Sequence, residues 1–86
     1  MLGKQCLIYS FGVAHEYSFE EFMDSRGCEI HAYDPTVDHP AKLAQNIYFT
    51  KLGLSNATSE NMDTLANILN RNGHADTVVE YLKVNI

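Results

Sequence analysis

The stretch Cys28-Glu29-Ile30-His31-Ala32-Tyr33-Asp34-Pro35 decides how the chain is read. Cys28 to Tyr33 reads as a strand that starts directly after a glycine. Asp34-Pro35 stops it, because proline cannot continue a hydrogen-bonded ladder. Just upstream lies a well-signalled helix. Ser18 as N-cap with Glu21 three residues on makes a capping box, and Tyr17 and Phe22 are spaced for a hydrophobic staple. Phe19, Phe22 and Met23 fall at i, i+3 and i+4, one apolar face. Arg26 sits in the last turn, and Gly27 supplies the left-handed residue that ends it. Further upstream, Gln5 to Ser10 (QCLIYS) is a short apolar run without helical spacing and reads as a buried strand. The loop Phe11–Tyr17, containing Gly12, joins that strand to the helix.

Downstream, Asp38 to Asn46 is expected to hold one short helical turn. Ile47 to Leu52 (IYFTKL), with its β-branched and aromatic residues, is a third strand. Gly53 to Glu60 is a polar loop. Asn61 to Asn72 is a second helix with Met62, Leu65, Ala66 and Leu69 on one face, Arg71 near its end and Gly73 just past it. Val78 to Ile86 is a last apolar strand. Strands alternating with helices imply right-handed crossovers and an α/β, doubly wound parallel sheet, covered on both faces. Two helices are few for four parallel strands, and the last strand has nothing after it to cross over and cover it. The expectation is therefore one partial domain over residues 1–86. The alternative is a minimal four-stranded sheet with an exposed edge.

Composition narrows the function. The chain has 86 residues, with six Lys+Arg against eleven Asp+Glu and a net charge of −5. Affinity for nucleic acid comes largely from cations displacing counterions, so no nucleic-acid partner is expected. No apolar run approaches the roughly 20 residues of a membrane span. Two cysteines, Cys6 and Cys28, are too few for a disulfide-stapled scaffold or a four-thiolate zinc site. They begin neighbouring strands and could approach each other, but the expectation is two small buried hydrophobes.

In such sheets ligands bind beyond the carboxyl ends of the strands, near the switch in strand order. Ser10-Phe11-Gly12-Val13-Ala14 ends the first strand, and Asp34 ends the second, 22 positions past Gly12. That spacing suits a carboxylate accepting hydrogen bonds from both ribose hydroxyls. The competing reading makes Gly12 a turn residue and Asp34 a strand terminator. Glu16, Glu20 and Glu21 crowd the helix start, where a pyrophosphate would normally sit. They disfavour NAD, FAD and ATP, and a Walker loop is absent. A ribose ligand with a cationic centre and no phosphate suits the site better, and S-adenosylmethionine has those properties. Glu20 and Glu21 also fit ordinary helix-dipole stabilisation by first-turn acids. Glu16, before the cap, does not.

The residues Tyr9-Ser10-Phe11-Gly12, Glu16-Tyr17-Ser18-Phe19-Glu20 and Gly27-Cys28-Glu29-Ile30-His31-Ala32-Tyr33-Asp34-Pro35 together resemble the opening of the methyltransferase-like domain family of animals, distant relatives of FkbM-type methyltransferases. The resemblance extends through Ile47–Ser55, Thr64–Gly73 and Tyr81–Ile86. It implies an α/β fold with the Rossmann-like parallel sheet of class I methyltransferases, these four strands ordered 3-2-1-4. It also implies an S-adenosylmethionine donor lying over Phe11 to Glu16, with Asp34 on its ribose. In the family the fourth strand runs L-K-[IVM]-D-[IV]-E-G-x-E; here Leu82-Lys83-Val84-Asn85-Ile86 places Asn85 at the aspartate position, keeping hydrogen bonding and losing the charge. The expected cofactor-binding residues are Ser10, Phe11, Gly12, Glu16, Asp34 and Asn85.

No catalytic residue is assigned and no metal is expected. His15 lies in the donor loop and is the one candidate base. His31 reads as a packed mid-strand histidine, and His39 and His74 as loop residues without metal-ligand spacing. The aromatic residues read as core, with Phe11 and Tyr33 candidates to flank an adenine. Asn56-Ala57-Thr58 matches the glycosylation sequon. Three classes remain: the donor-binding part of a methyltransferase, a non-catalytic interaction module or degenerate remnant of the same fold, and an NAD-binding half-domain. The acceptor is unidentified.

Overall fold

The computed structural model describes residues 6–85. Its main sheet contains β1 (Leu7–Phe11), β2 (Glu29–Tyr33), β3 (Lys42–Ala44), β4 (Ile47–Thr50) and β7 (Tyr81–Val84) in the order β3-β4-β2-β1-β7. β1 pairs in parallel with β2 and β7, and β2 pairs in parallel with β4. Only β3 is antiparallel. Two helices, α1 (Ser18–Ser25) and α2 (Leu65–Arg71), and a small parallel pair, β5 (Gly53–Leu54) with β6 (Met62–Asp63), complete the described residues.

Side-chain alternation along the strands divides the core in two. Ile8, Ile30, Ala32, Ile47 and Phe49 face one side, where Phe19 and Met23 of α1 pack against them. Leu7, Tyr9, Phe11 and Tyr33 face the other, under Ile68, Leu65 and Leu69 of α2. β1 is buried along its whole length. Covered on both faces and paired on both edges, it is the centre of an α/β layered fold.

Several expectations are corrected. The segment expected to form a helical turn is instead the antiparallel edge strand β3. Asn61–Thr64 is not helical: Met62–Asp63 is β6, and Thr64 caps α2 by accepting from the Asn67 amide at 3.1 Å. The loop after Thr50 contains β5. The Ser18 capping box does not form. Tyr17 is the N-cap residue, and the Ser18 hydroxyl donates to Glu16 at 2.5 Å instead. Phe22, expected on the apolar face, is 57% exposed with Arg26 over its ring. Cys6 and Cys28 form a disulfide, because the parallel register that pairs Leu7 with Glu29 brings the two preceding positions together. The first and last expected strands reach Gln5 and Ile86, which lie outside the described residues.

Candidate functional site

The site is built at the carboxyl ends of the central strands. β1 delivers the chain to Gly12, whose φ is +90°; a side chain in the left-handed region costs roughly 1–2 kcal/mol. The Gly12 amide donates to the Tyr33 carbonyl at 2.8 Å, which ties the turn to the end of β2. Two residues on, the Ala14 amide donates to Asp34 Oδ2 at 2.9 Å. His39 Nε2–H donates to the Ala14 carbonyl at 2.6 Å. The loop after β1 is thus held from both sides by groups that follow β2.

Asp34 is 5% exposed. Its Oδ1 accepts from the Thr36 amide at 2.8 Å and the Thr36 hydroxyl at 2.5 Å. Burial raises its pKa, but the hydrogen bonds from Thr36 and Ala14 outweigh that and hold it below the ordinary carboxylate value. An ionised carboxylate offers about four acceptor directions, and three are already used. Gripping a pair of hydroxyls requires the Thr36 hydroxyl, which can rotate, to give way.

Gly12, Asp34 and Asn85 line one cavity of about 330 Å³, together with Thr36, Gly53 and Met62. That volume is at the lower end of the range for small-molecule sites. The Asn85 amide donates to the Phe11 carbonyl at 2.8 Å, which places it beside the Gly12 turn. Gly53 has a steric reason to be glycine: a Cβ there would lie 2.4 Å from Met62 Sδ and 2.9 Å from Pro35 Cγ. β5 therefore approaches Pro35 closely and closes the wall of the cavity.

The other three expected donor residues are elsewhere. Ser10 and Phe11 are buried in β1 on opposite faces of the sheet, and Glu16 is exposed with its carboxylate on Ser18. Phe11 and Tyr33 stack on each other at 5.0 Å and are fully packed in the α2-side core. Glu20 is not a surface dipole partner. It is fully buried, accepting from the Ser10 hydroxyl at 2.5 Å and from Lys83 Nζ at 2.9 Å. One carboxylate thereby joins α1, β1 and β7 beneath the loop. Only its partners ten residues before and 63 residues after identify it, and no local pattern carries those. His15 is exposed, its ring edge-on to His39 at 5.5 Å. Asn56 of the sequon is exposed. No helix among the described residues is long and apolar enough to cross a membrane.

The model of a family described as "Methyltransferase domain" matches residues 2–86. Among curated proteins the chain is similar to a human protein named "Probable methyltransferase-like protein 24". The two are 31% identical over 84 residues, covering 84% of this chain and 23% of the human protein. The chain thus spans about a quarter of the length of the curated relative it matches. No solved structure matches the chain.

Proposed function

The chain belongs to the methyltransferase domain family, and on that premise we propose that it is the donor-binding part of an S-adenosylmethionine-dependent methyltransferase. The observation that carries the reading is the shared cavity of Gly12, Asp34 and Asn85 at the carboxyl ends of β1 and β2 and just past β7. A strand-end crevice is where α/β sheets bind ligands. Gly12 offers a backbone without a side chain, so a ligand can approach closely. Asp34 would hold the ribose once Thr36 releases Oδ1, and the Asn85 side-chain carboxamide would supply a neutral donor and acceptor. The kinship with FkbM-type enzymes belongs to the same reading.

When bound, the donor supplies an electrophilic sulfonium methyl for in-line displacement by an acceptor nucleophile. The contribution of this chain is orientation, which supplies much of the barrier reduction in such transfers. Asp34 and the Gly12 turn would fix one end of the donor, and the Glu20–Ser10–Lys83 cluster ties α1, β1 and β7 together at the loop's base. No side chain of the cavity is assigned as a base, and the acceptor stays unnamed. β7, at the sheet edge, leaves Tyr81 on one face and Leu82 and Val84 on the other roughly half exposed, which suits faces covered by further elements in the whole enzyme.

Calorimetric titration with S-adenosylhomocysteine and with NAD tests the reading. Binding of the first and silence with the second are expected. Asp34→Ala should weaken S-adenosylhomocysteine by about ten- to a hundredfold, the scale of hydrogen bonds to a charged group. Silence with both compounds would favour the non-catalytic module, a reading supported by the three internal hydrogen bonds that already occupy Asp34.

A further inference from the structure

We propose that Glu29, His31 and His74 form a binding site for a divalent transition-metal ion of the zinc class, on the α2 face of the sheet and away from the donor cavity. Glu29 and His31 lie two residues apart on β2, so strand alternation puts both side chains on one face. His74 follows α2 and comes down onto that face. One ligand atom from each lies within 4.8 Å of the others. His31 Nε2 is 2.6 Å from Glu29 Oε2, and His74 Nε2 is 3.8 Å from the same oxygen. Tetrahedral zinc with bonds near 2.0–2.2 Å separates its ligand atoms by roughly 3.4 Å. Glu29 is half exposed, and exchanging its hydrogen bond to His31 for a metal bond needs an outward shift of less than about 1 Å, whereas the two imidazoles are held.

Their restraint is the second, independent observation. The His31 ring is stacked between Tyr9 at 5.1 Å and Tyr48 at 5.3 Å. His74 Nδ1 lies 2.6 Å from the hydroxyl oxygen of Tyr9, a fully buried residue. Asn72 Nδ2 donates to the same oxygen at 3.0 Å. In the tautomer whose Nδ1–H donates to Tyr9, which metal binding at the other nitrogen selects, the Nε2 lone pair of His74 faces Glu29. Orientation of a metal-binding histidine through its other ring nitrogen is the usual outer-shell arrangement in metal sites. Two imidazoles and one carboxylate suit zinc, and three protein ligands leave one position open toward solvent on the Glu29 side. The spacing 29, 31, 74 is not a sequence motif, because the third ligand arrives only through the α2 crossover. Glu29 lies five residues before Asp34, about 16 Å away along the strand, so the two sites are separate.

The test is a Zn²⁺ titration of the full chain against a chromophoric chelator, after dialysis with EDTA and without reductant, so that Cys6 and Cys28 stay bridged. One equivalent is expected to bind and to raise the thermal midpoint. Glu29→Gln and His74→Gln should each weaken Zn²⁺ at least tenfold while the midpoint in EDTA stays near that of the parent chain. Tyr9→Phe, a change at a positioning residue, should weaken Zn²⁺ by about 10–100-fold. His15→Gln should leave the affinity unchanged. Absence of uptake, or affinity unmoved by both glutamine variants (an adventitious ion only), would overturn the proposal. So would affinity lost with His15→Gln, which would place the ion in the His15–His39 pair.

Discussion

Asp34 and Asp63 show how single carboxylates fix this molecule. Asp63 accepts from the Thr64 amide at 2.8 Å, the Thr58 hydroxyl at 2.9 Å and Asn67 Nδ2 at 3.0 Å, and pairs with Arg71. The bonds from Asn67, Thr64 and Thr58 hold its pKa at about 2, below the ordinary 3.8. A carboxyl group depressed on folding adds stability above its unfolded pKa and loses it as pH falls through the folded value. Asp34 is shifted in the same direction. Stability measured by urea unfolding should therefore fall between about pH 4 and pH 2, and Asp63→Asn should flatten that slope. Glu20 makes a different case. Removing one partner of a buried pair leaves the other uncompensated, at a cost of about 3–5 kcal/mol when fully buried. Lys83 is a quarter exposed, so Glu20→Ala should cost less, roughly 2–3 kcal/mol, read from the same urea curves.

The elements rest on packing more than on local signals. α2 has one fully buried residue, Ile68, and one side-chain cap, Thr64. Ile68→Ala should destabilise by about 2–5 kcal/mol and Thr64→Ala by about 1 kcal/mol; chemical denaturation of both variants checks the ranking. The contrast also explains what was legible in the sequence. β1, β2 and β4 carry apolar runs long enough to read directly, and Gly27, with φ +88°, marked the end of α1. Met62 matched the helical period of Leu65 and Leu69, yet it belongs to β6, because Asp63 spends its carboxylate on capping interactions that start α2 two residues later. β3 was unreadable because a three-residue edge strand is defined by its partner, not by its own pattern. Within the site, Gly12 and Asp34 were legible from the 22-residue spacing. Thr36, Gly53 and Met62 were not, since their roles depend on how β5 folds back against Pro35.

At the scale of the whole molecule, the central strand β1 is covered on both faces and the sheet is pinned by one covalent bridge. Cys6 and Cys28 are 22 residues apart, and a loop of that length implies about 3 kcal/mol from restricting the unfolded chain. Reductant should lower the unfolding free energy by about that amount, and an unchanged midpoint would mean the bridge does not form. The bridge fastens the starts of β1 and β2, the end of the sheet opposite the cavity. Strand direction then carries the order outward to Gly12 and Asp34, whose common hollow is the claim on which the functional reading rests. The most direct measurement is amide NMR of the chain titrated with S-adenosylhomocysteine. The reading requires the largest shifts at Gly12, Ala14, Asp34, Thr36 and Asn85. Shifts that spare those amides, or that centre on His31 and His74 instead, would contradict it.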